Sequence, residues 1–198
     1  MDKHPVSYYV INGITFYRLL SAPLLLFLAM RGNLEWFRLL LALSFFTDAI
    51  DGVLSRMFRV SSLFGTKLDS IADDATVLSA TVCLWIFRPD FMAAHWLAFV
   101  IVFSLFILQN IVALWVYKRV TSFHTYLAKT AAVSQGLFFM MVFFDVGPVE
   151  TGFYAAAVVT AVELVEEIIL VFLLPEWKAN VKGLFWVLRK SAVTGESP

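Results

Sequence analysis

Long apolar runs, separated by short polar interruptions, organise this chain. Runs at 11–30, 34–55, 66–87, 92–117, 127–145 and 149–174 each approach or exceed the ~20 residues with which a helix crosses the hydrocarbon core of a bilayer. Between them stand Arg31-Gly32-Asn33, Arg88-Pro89-Asp90 and Gly147-Pro148, residues that punctuate helices and build turns. The pattern predicts an all-α fold, a six-transmembrane-helix bundle forming a single domain over 1–198, with short amphipathic surface segments at the termini. After Pro175, residues Trp177, Val181, Leu184, Phe185 and Leu188 recur at helical spacing among Lys178, Lys182, Arg189 and Lys190. That arrangement predicts a short helix on an anionic leaflet surface, with Gly183 as a weak point. Asp2–Val10 reads as a similar surface segment, and the stretch after Ser191 reads as disordered.

Composition agrees with the pattern. Hydrophobic residues make up 61% of the 198, against about 45–50% in soluble domains, so the chain reads as an integral membrane protein. Fifteen basic and fifteen acidic residues cancel, which leaves no electrostatic footprint for a nucleic-acid partner. The single cysteine, Cys83, excludes an intrachain disulfide and reads as a small core residue. His4, His95 and His124 lack zinc-ligand spacing. The first apolar run contains Arg18 and lacks a small-residue cleavage site, so it does not read as a cleavable signal.

Basic residues orient the spans. With the N-terminus in the cytoplasm, Lys3, Arg18, Arg56, Arg59, Lys67, Lys118, Arg119, Lys129, Lys178, Lys182, Arg189 and Lys190 fall inside, and only Arg31, Arg38 and Arg88 fall outside. Both termini are then expected on the cytoplasmic side of an inner membrane of bacterial or archaeal type.

Four aspartates break the apolar pattern where the second span ends and the third begins: Asp48, Asp51, Asp69 and Asp73. Their spacings of three and four residues place each pair on one helix face, and helices joined by a short loop are antiparallel neighbours. One carboxylate near the bilayer centre costs roughly 2.5–3.5 kcal/mol on insertion scales, and four would cost on the order of 10–14 kcal/mol. Ion pairs with Arg56, Arg59 and Lys67 could not fully neutralise four carboxylates. Hard divalent cations such as Mg²⁺ prefer oxygen ligands, so the cluster reads as a metal site at the membrane surface. Gly52 permits close approach to the backbone, Arg56 is one turn beyond it and suited to a phosphate, and Gly65 leaves space near the start of the third helix.

The run Asp48-x-x-Asp51-Gly52-x-x-Ser55-Arg56, eight residues, Gly65-x-x-x-Asp69-x-x-x-Asp73 resembles the signature of the CDP-alcohol phosphotransferase family, with Ser55 where the family usually has alanine. Asn12-Gly-Ile-Thr15-Phe-Tyr-Arg18 is similar to the N-x-x-T-x-x-R pattern of phosphatidylglycerophosphate synthases. The resemblance implies transfer of a phosphatidyl or related group from a CDP-activated donor, here CDP-diacylglycerol, to an alcohol with release of CMP in phospholipid synthesis. It implies Asp48, Asp51 and Asp69 as ligands of Mg²⁺ or Mn²⁺, two ions in all. Asp73 would be the catalytic base and also touch a metal. Asp48, Gly52, Ser55, Arg56 and Gly65 would bind the nucleotide. A homodimer embedded among membrane lipids is the implied assembly.

The acceptor is less constrained. Lys118, Arg119, His124 and Lys129 gather near the loop between the fourth and fifth spans, and Arg18 and Lys129 are the residues best placed to bind an acceptor. Glycerol 3-phosphate is the expected acceptor from the first-span pattern. Glu163, Glu166 and Glu167 within the sixth span leave open an amino-alcohol such as serine, ethanolamine or choline, and an inositol-type acceptor is a further alternative. Intramembrane acids face cavities or partners, so Glu163 and Glu167 could instead pair with Arg18 or Lys129. Asp74, turned about 100° from the Asp69/Asp73 face, reads as a satellite charge. A non-catalytic ion-coupled transporter is a rival of another class, disfavoured because the acids are bunched at one edge and not strung across the bilayer.

Overall fold

The computed structural model describes residues 6–58, 63–118, 123, 125–176 and 181–194, with side chains described for 13–50, 65, 68–118, 123, 125–176 and 181–189. Every regular element among them is a helix: α1 Val6–Met30, α2 Leu34–Phe58, α3 Leu63–Phe87, α4 Pro89–Tyr117, α5 Tyr126–Phe144, α6 Val149–Leu173 and α7 Leu184–Thr194. The six apolar runs return as α1 to α6. Among the described residues, four helical segments are long and apolar enough to cross a membrane, Gly13–Met30, Leu68–Phe87, Pro89–Tyr117 and Tyr126–Phe144, and they fit an integral membrane protein. Helices α2 and α6 have 25 residues each, about 37 Å at 1.5 Å per residue, but both carry several charges.

Turn chemistry ends the helices where the sequence placed it. Gly32 takes φ +67°, and its N–H donates to the Ala29 carbonyl at 2.9 Å while Asn33 N–H reaches Leu28 at 3.0 Å. Asn33 Oδ1 then accepts from Trp36 N–H at 3.3 Å and caps α2. Thr125 caps α5 by accepting from Ala128 N–H at 3.0 Å.

Two compact units make up the chain, Met1–Ala93 and Ala94–Pro198. The division falls within α4, next to His95, whose backbone leaves helical geometry (φ −115°, ψ 15°).

In the first unit α1 is the spine, packing extensively on both α2 and α3, which meet each other only sparsely. Its buried stripe runs Thr15, Arg18, Ser21, Ala22, Leu25 and Ala29, steps of three and four residues that keep one face inward. Phe37, Leu41 and Ser44 form the matching stripe of α2, and Ala72, Thr76, Ala80, Cys83 and Leu84 that of α3. Each stripe is apolar toward one end and polar toward the other. At the apolar end, Phe37 and Phe87 meet with ring centroids 5.2 Å apart. Cys83 is fully buried, as a core residue should be, and its thiol donates to the Leu25 carbonyl at 3.7 Å.

In the second unit α5 packs along α6, joined by Gln135 Nε2 donating to Thr160 Oγ1 at 2.8 Å. Ala113, Phe123, Leu170, Val171, Leu174 and Val181 form a buried core, and Tyr117 Oη donates to the Leu174 carbonyl at 2.8 Å and to Val171 at 3.2 Å. The α6 acids are built into this core. Glu167 Oε2 accepts from Gln109 Nε2 at 2.7 Å and Oε1 from the Phe123 backbone N–H at 2.8 Å. Glu166 Oε1 accepts the Leu184 N–H at the start of α7, at 2.8 Å.

The terminal segments differ from expectation. The described part of the N-terminal segment, 6–10, continues α1 instead of forming a separate surface element. The C-terminal helix begins only at Leu184: Val181 is buried in the core outside any helix, and Gly183 adopts φ +141°, a conformation that suits glycine. A Cβ there would also lie 3.0 Å from Glu166 Oε1. Past Ser191, helix continues to Thr194 instead of disorder. Trp177 and Lys178 lie outside the described residues.

Glu167→Ala should strand two buried donors. Each such loss costs about 1–3 kcal/mol, so unfolding in detergent should occur with stability reduced by roughly 2–6 kcal/mol, while Glu167→Gln, which keeps one acceptor oxygen, should lose less. Thermal unfolding of the three proteins checks this.

Candidate functional site

The polar end of the first unit holds the carboxylates. Asp48 continues the Phe37, Leu41, Ser44 stripe of α2 by one more turn, and Asp69 and Asp73 begin the inward stripe of α3. One carboxylate oxygen from each of the three lies within 4.8 Å of the others. Their side chains keep 36–38% of their surface exposed, so the group is reachable from outside. Asp74 is exposed and stands outside the trio, as its helical phase predicts.

Arg18 of α1 joins the two helices. Its Nη1 donates to Asp48 Oδ1 at 2.8 Å and to Asp69 Oδ1 at 2.9 Å, and its Nη2 pairs with Asp73 Oδ1. The arginine side chain is only 3% exposed. Helices α2 and α3 both pack on α1 and meet each other only sparsely, and the arginine on α1 links their acids. From the sequence, divalent cations were expected to neutralise the cluster, with only Arg56, Arg59 and Lys67 weighed as ion-pair partners, and Arg18 was missed in this role. The available signal was a lone arginine inside an apolar run, which must find a partner.

Below the ion pairs, hydroxyls bond to backbone carbonyls and to one another. Ser21 Oγ donates to the Arg18 carbonyl at 2.7 Å and lies 2.9 Å from Ser44 Oγ, which bonds the Leu40 carbonyl at 2.9 Å. Thr76 Oγ1 donates to the Ala72 carbonyl at 2.8 Å. Pro23 inside α1 removes a backbone donor one turn beyond Leu19, close to this serine pair. These hydroxyls had no place in the sequence reading, being individually ordinary helix residues.

Asp51, Gly52, Ser55 and Arg56 lie on the last turns of α2, but their side chains are outside the described residues. Gly65 sits within the first turn of α3, partly buried. Lys129 is exposed on the first turn of α5, its ammonium 5.7 Å from the centroid of the Tyr126 ring. Lys118 ends α4 with φ 57°, and Arg119 and His124 are outside the described residues. Glu167, considered as a partner of Arg18 or Lys129, is instead engaged by Gln109 and Phe123.

The donor set can be tested against a divalent cation. Three carboxylates and one guanidinium leave a net charge of −2, and all the facing atoms are hard oxygens, the ligand type that Mg²⁺ and Mn²⁺ prefer. The residues fit such an ion. The arrangement can bind cations, hold a diphosphate through them, and supply a carboxylate to accept a proton.

Comparison with known proteins follows the same line. The CDP-alcohol phosphatidyltransferase family profile matches residues 8–170. A cardiolipin synthase (CMP-forming)/mitochondrial hydrolase fusion protein of Schizosaccharomyces pombe is 38% identical over 73 residues, 37% of this chain and 12% of that protein. A CDP-diacylglycerol–glycerol-3-phosphate 3-phosphatidyltransferase of Cereibacter sphaeroides is 43% identical over 77 residues, 37% of this chain and 35% of that protein. The matched segments thus span well under half of either relative. No solved structure matches the chain. With the family profile extending over most of its length, the chain belongs to the CDP-alcohol phosphatidyltransferase family.

Proposed function

We propose that the chain transfers a phosphatidyl group from CDP-diacylglycerol to an alcohol in phospholipid synthesis, releasing CMP, with glycerol 3-phosphate as the acceptor. The observation that carries this reading is the meeting of Asp48, Asp69 and Asp73 within 4.8 Å, in the family's own spacing and open to the outside. The six long helices are taken as six spans with both termini and the carboxylates in the cytoplasm, and the two units as one domain, since the family match runs across their boundary. A homodimer among membrane lipids follows from the family resemblance.

Asp48, Asp51 and Asp69 would hold Mg²⁺ or Mn²⁺, with Asp73 beside them. When bound, two such ions would screen the diphosphate and stabilise charge on the attacking and leaving oxygens. Gly52, Ser55, Arg56 and Gly65, with Asp48, line the end of α2 and the start of α3, where they would hold the cytidine nucleotide. The acceptor hydroxyl attacks the phosphorus that carries diacylglycerol, the P–O bond to CMP breaks, and Asp73 takes the hydroxyl proton. A lipid donor suits a site on membrane helices, because its acyl chains can remain in the bilayer during the reaction.

Support for glycerol 3-phosphate comes from the name of the Cereibacter sphaeroides relative and from the Asn12, Thr15, Arg18 pattern. An amino-alcohol acceptor would call on the α6 acids, and Glu167 already serves internal donors. Lys129 and Arg18 are the proposed partners of the acceptor phosphate. Arg18 must first leave its carboxylates to serve.

Purified protein given radiolabelled CDP-diacylglycerol, glycerol 3-phosphate and Mg²⁺ or Mn²⁺ should release CMP, and EDTA should stop the reaction reversibly. Asp73→Asn should lower turnover by about 10²–10⁴-fold, the usual contribution of a general base, while CDP-lipid binding persists. Activity within threefold of the parent would remove Asp73 from that role.

Lys129→Ala should raise the acceptor KM roughly 10- to 150-fold, the scale of a charge-assisted hydrogen bond, and leave the KM for CDP-diacylglycerol unchanged. Steady-state kinetics with each substrate varied in turn decide it. An unchanged acceptor KM would take Lys129 out of the pocket.

A further inference from the structure

We infer that Arg18 is an internal cation that competes with divalent metal for the carboxylate cluster, and that metal loading requires its guanidinium to withdraw. This rests on the reading of the cluster as a metal site.

Three observations lead there. First, Nη1 occupies the point shared by α2 and α3, 2.8 Å from Asp48 Oδ1 and 2.9 Å from Asp69 Oδ1, which is where an ion bridging these helices would have to sit. An octahedral Mg²⁺ holds its oxygens at 2.0–2.1 Å, so two ligands of one ion are at most about 4.2 Å apart. The three oxygens lie within 4.8 Å of one another, with Nη1 hydrogen-bonded to two of them, so an ion shared by all three needs the space that the guanidinium holds. Gathering them onto one ion closes the space that Nη1 fills.

Second, Arg18 is incompletely satisfied. Its Nε is buried and has no hydrogen-bond partner among the described residues. A permanently buried arginine is normally held through its whole fork of donors, and one with a stranded donor has less to lose on leaving. Third, the surface exposure is one-sided: the carboxylates are about one-third exposed and the arginine is buried beneath them. An incoming cation therefore reaches the oxygens from the open side while the guanidinium holds them from below.

The charges make the exchange reasonable. Without metal, the arginine reduces three negative charges to two and keeps the helices together. A divalent ion at the same oxygens faces repulsion from the guanidinium at a few ångströms, in surroundings where charge interactions are poorly screened.

The test is Mn²⁺ binding to the purified full-length protein, followed by electron paramagnetic resonance, together with thermal unfolding in EDTA. Arg18→Gln should bind Mn²⁺ about tenfold or more tightly than the parent, the scale of one charge-assisted hydrogen bond. In EDTA it should melt below the parent, and saturating Mn²⁺ should narrow that gap. Arg18→Lys retains one cation without the fork, so it folds on the same charge balance and its affinity should fall between the two. Unchanged or weakened Mn²⁺ binding in both variants would overturn the competition while leaving the metal site standing. Absence of Mn²⁺ binding in the parent and both variants alike would overturn the competition and the metal reading together.

Discussion

A buried guanidinium gripping three carboxylates from two helices is the interaction on which the first unit depends. Neither charge type belongs in an apolar helix bundle, and each is tolerable there only with the other. Helices α2 and α3 have little direct contact, so their acids meet through α1. Arg18 lies on the buried stripe of α1 in register with Thr15 and Ser21, which fixes where the guanidinium can reach. The serine hydroxyls beneath it bond to backbone carbonyls and to each other, so the polar end of the core descends into the apolar end without stranded hydroxyls.

The two units use acidic residues in opposite ways. Glu167 in the second unit spends both oxygens on protein donors, a glutamine amide and a backbone N–H. Glu166 holds the first turn of α7. Those acids tie loops and the terminal helix to α6, Glu167 through both oxygens and Glu166 through one. Asp48, Asp69 and Asp73 instead share one arginine and remain about one-third exposed. The exposure of three clustered carboxylates marks the aspartates as the place where an outside ligand can be received.

Much of this was legible in the sequence. Apolar runs of helical length gave α1 to α6 to within a few residues, because the turns at Arg31-Gly32-Asn33 and Gly147-Pro148 carry their own chemistry. Asp48, Asp69 and Asp73 were legible from spacing and cost alone. Three features were not. Arg18 is 51 residues from Asp69, and periodicity on one helix says nothing of which neighbour it faces. The start of α7 was misplaced because Val181 fits helical spacing equally well as an unwound core residue, and the conformation of Gly183 decides between them. Glu167 was legible as an intramembrane acid needing a partner, but its partners include a backbone N–H at Phe123, which leaves no trace in a pattern of side chains.

Arg18 and the α3 carboxylates stabilise the first unit through one another. A double-mutant cycle measures this directly, using Arg18→Gln, Asp69→Asn and the double variant, each unfolded in EDTA. Residues sharing an ion-pair network show coupling of about 0.5–3 kcal/mol, so the double variant should be less destabilised than the sum of the single variants by an amount in that range. Additivity of the two substitutions within about 0.3–0.5 kcal/mol would contradict the claim.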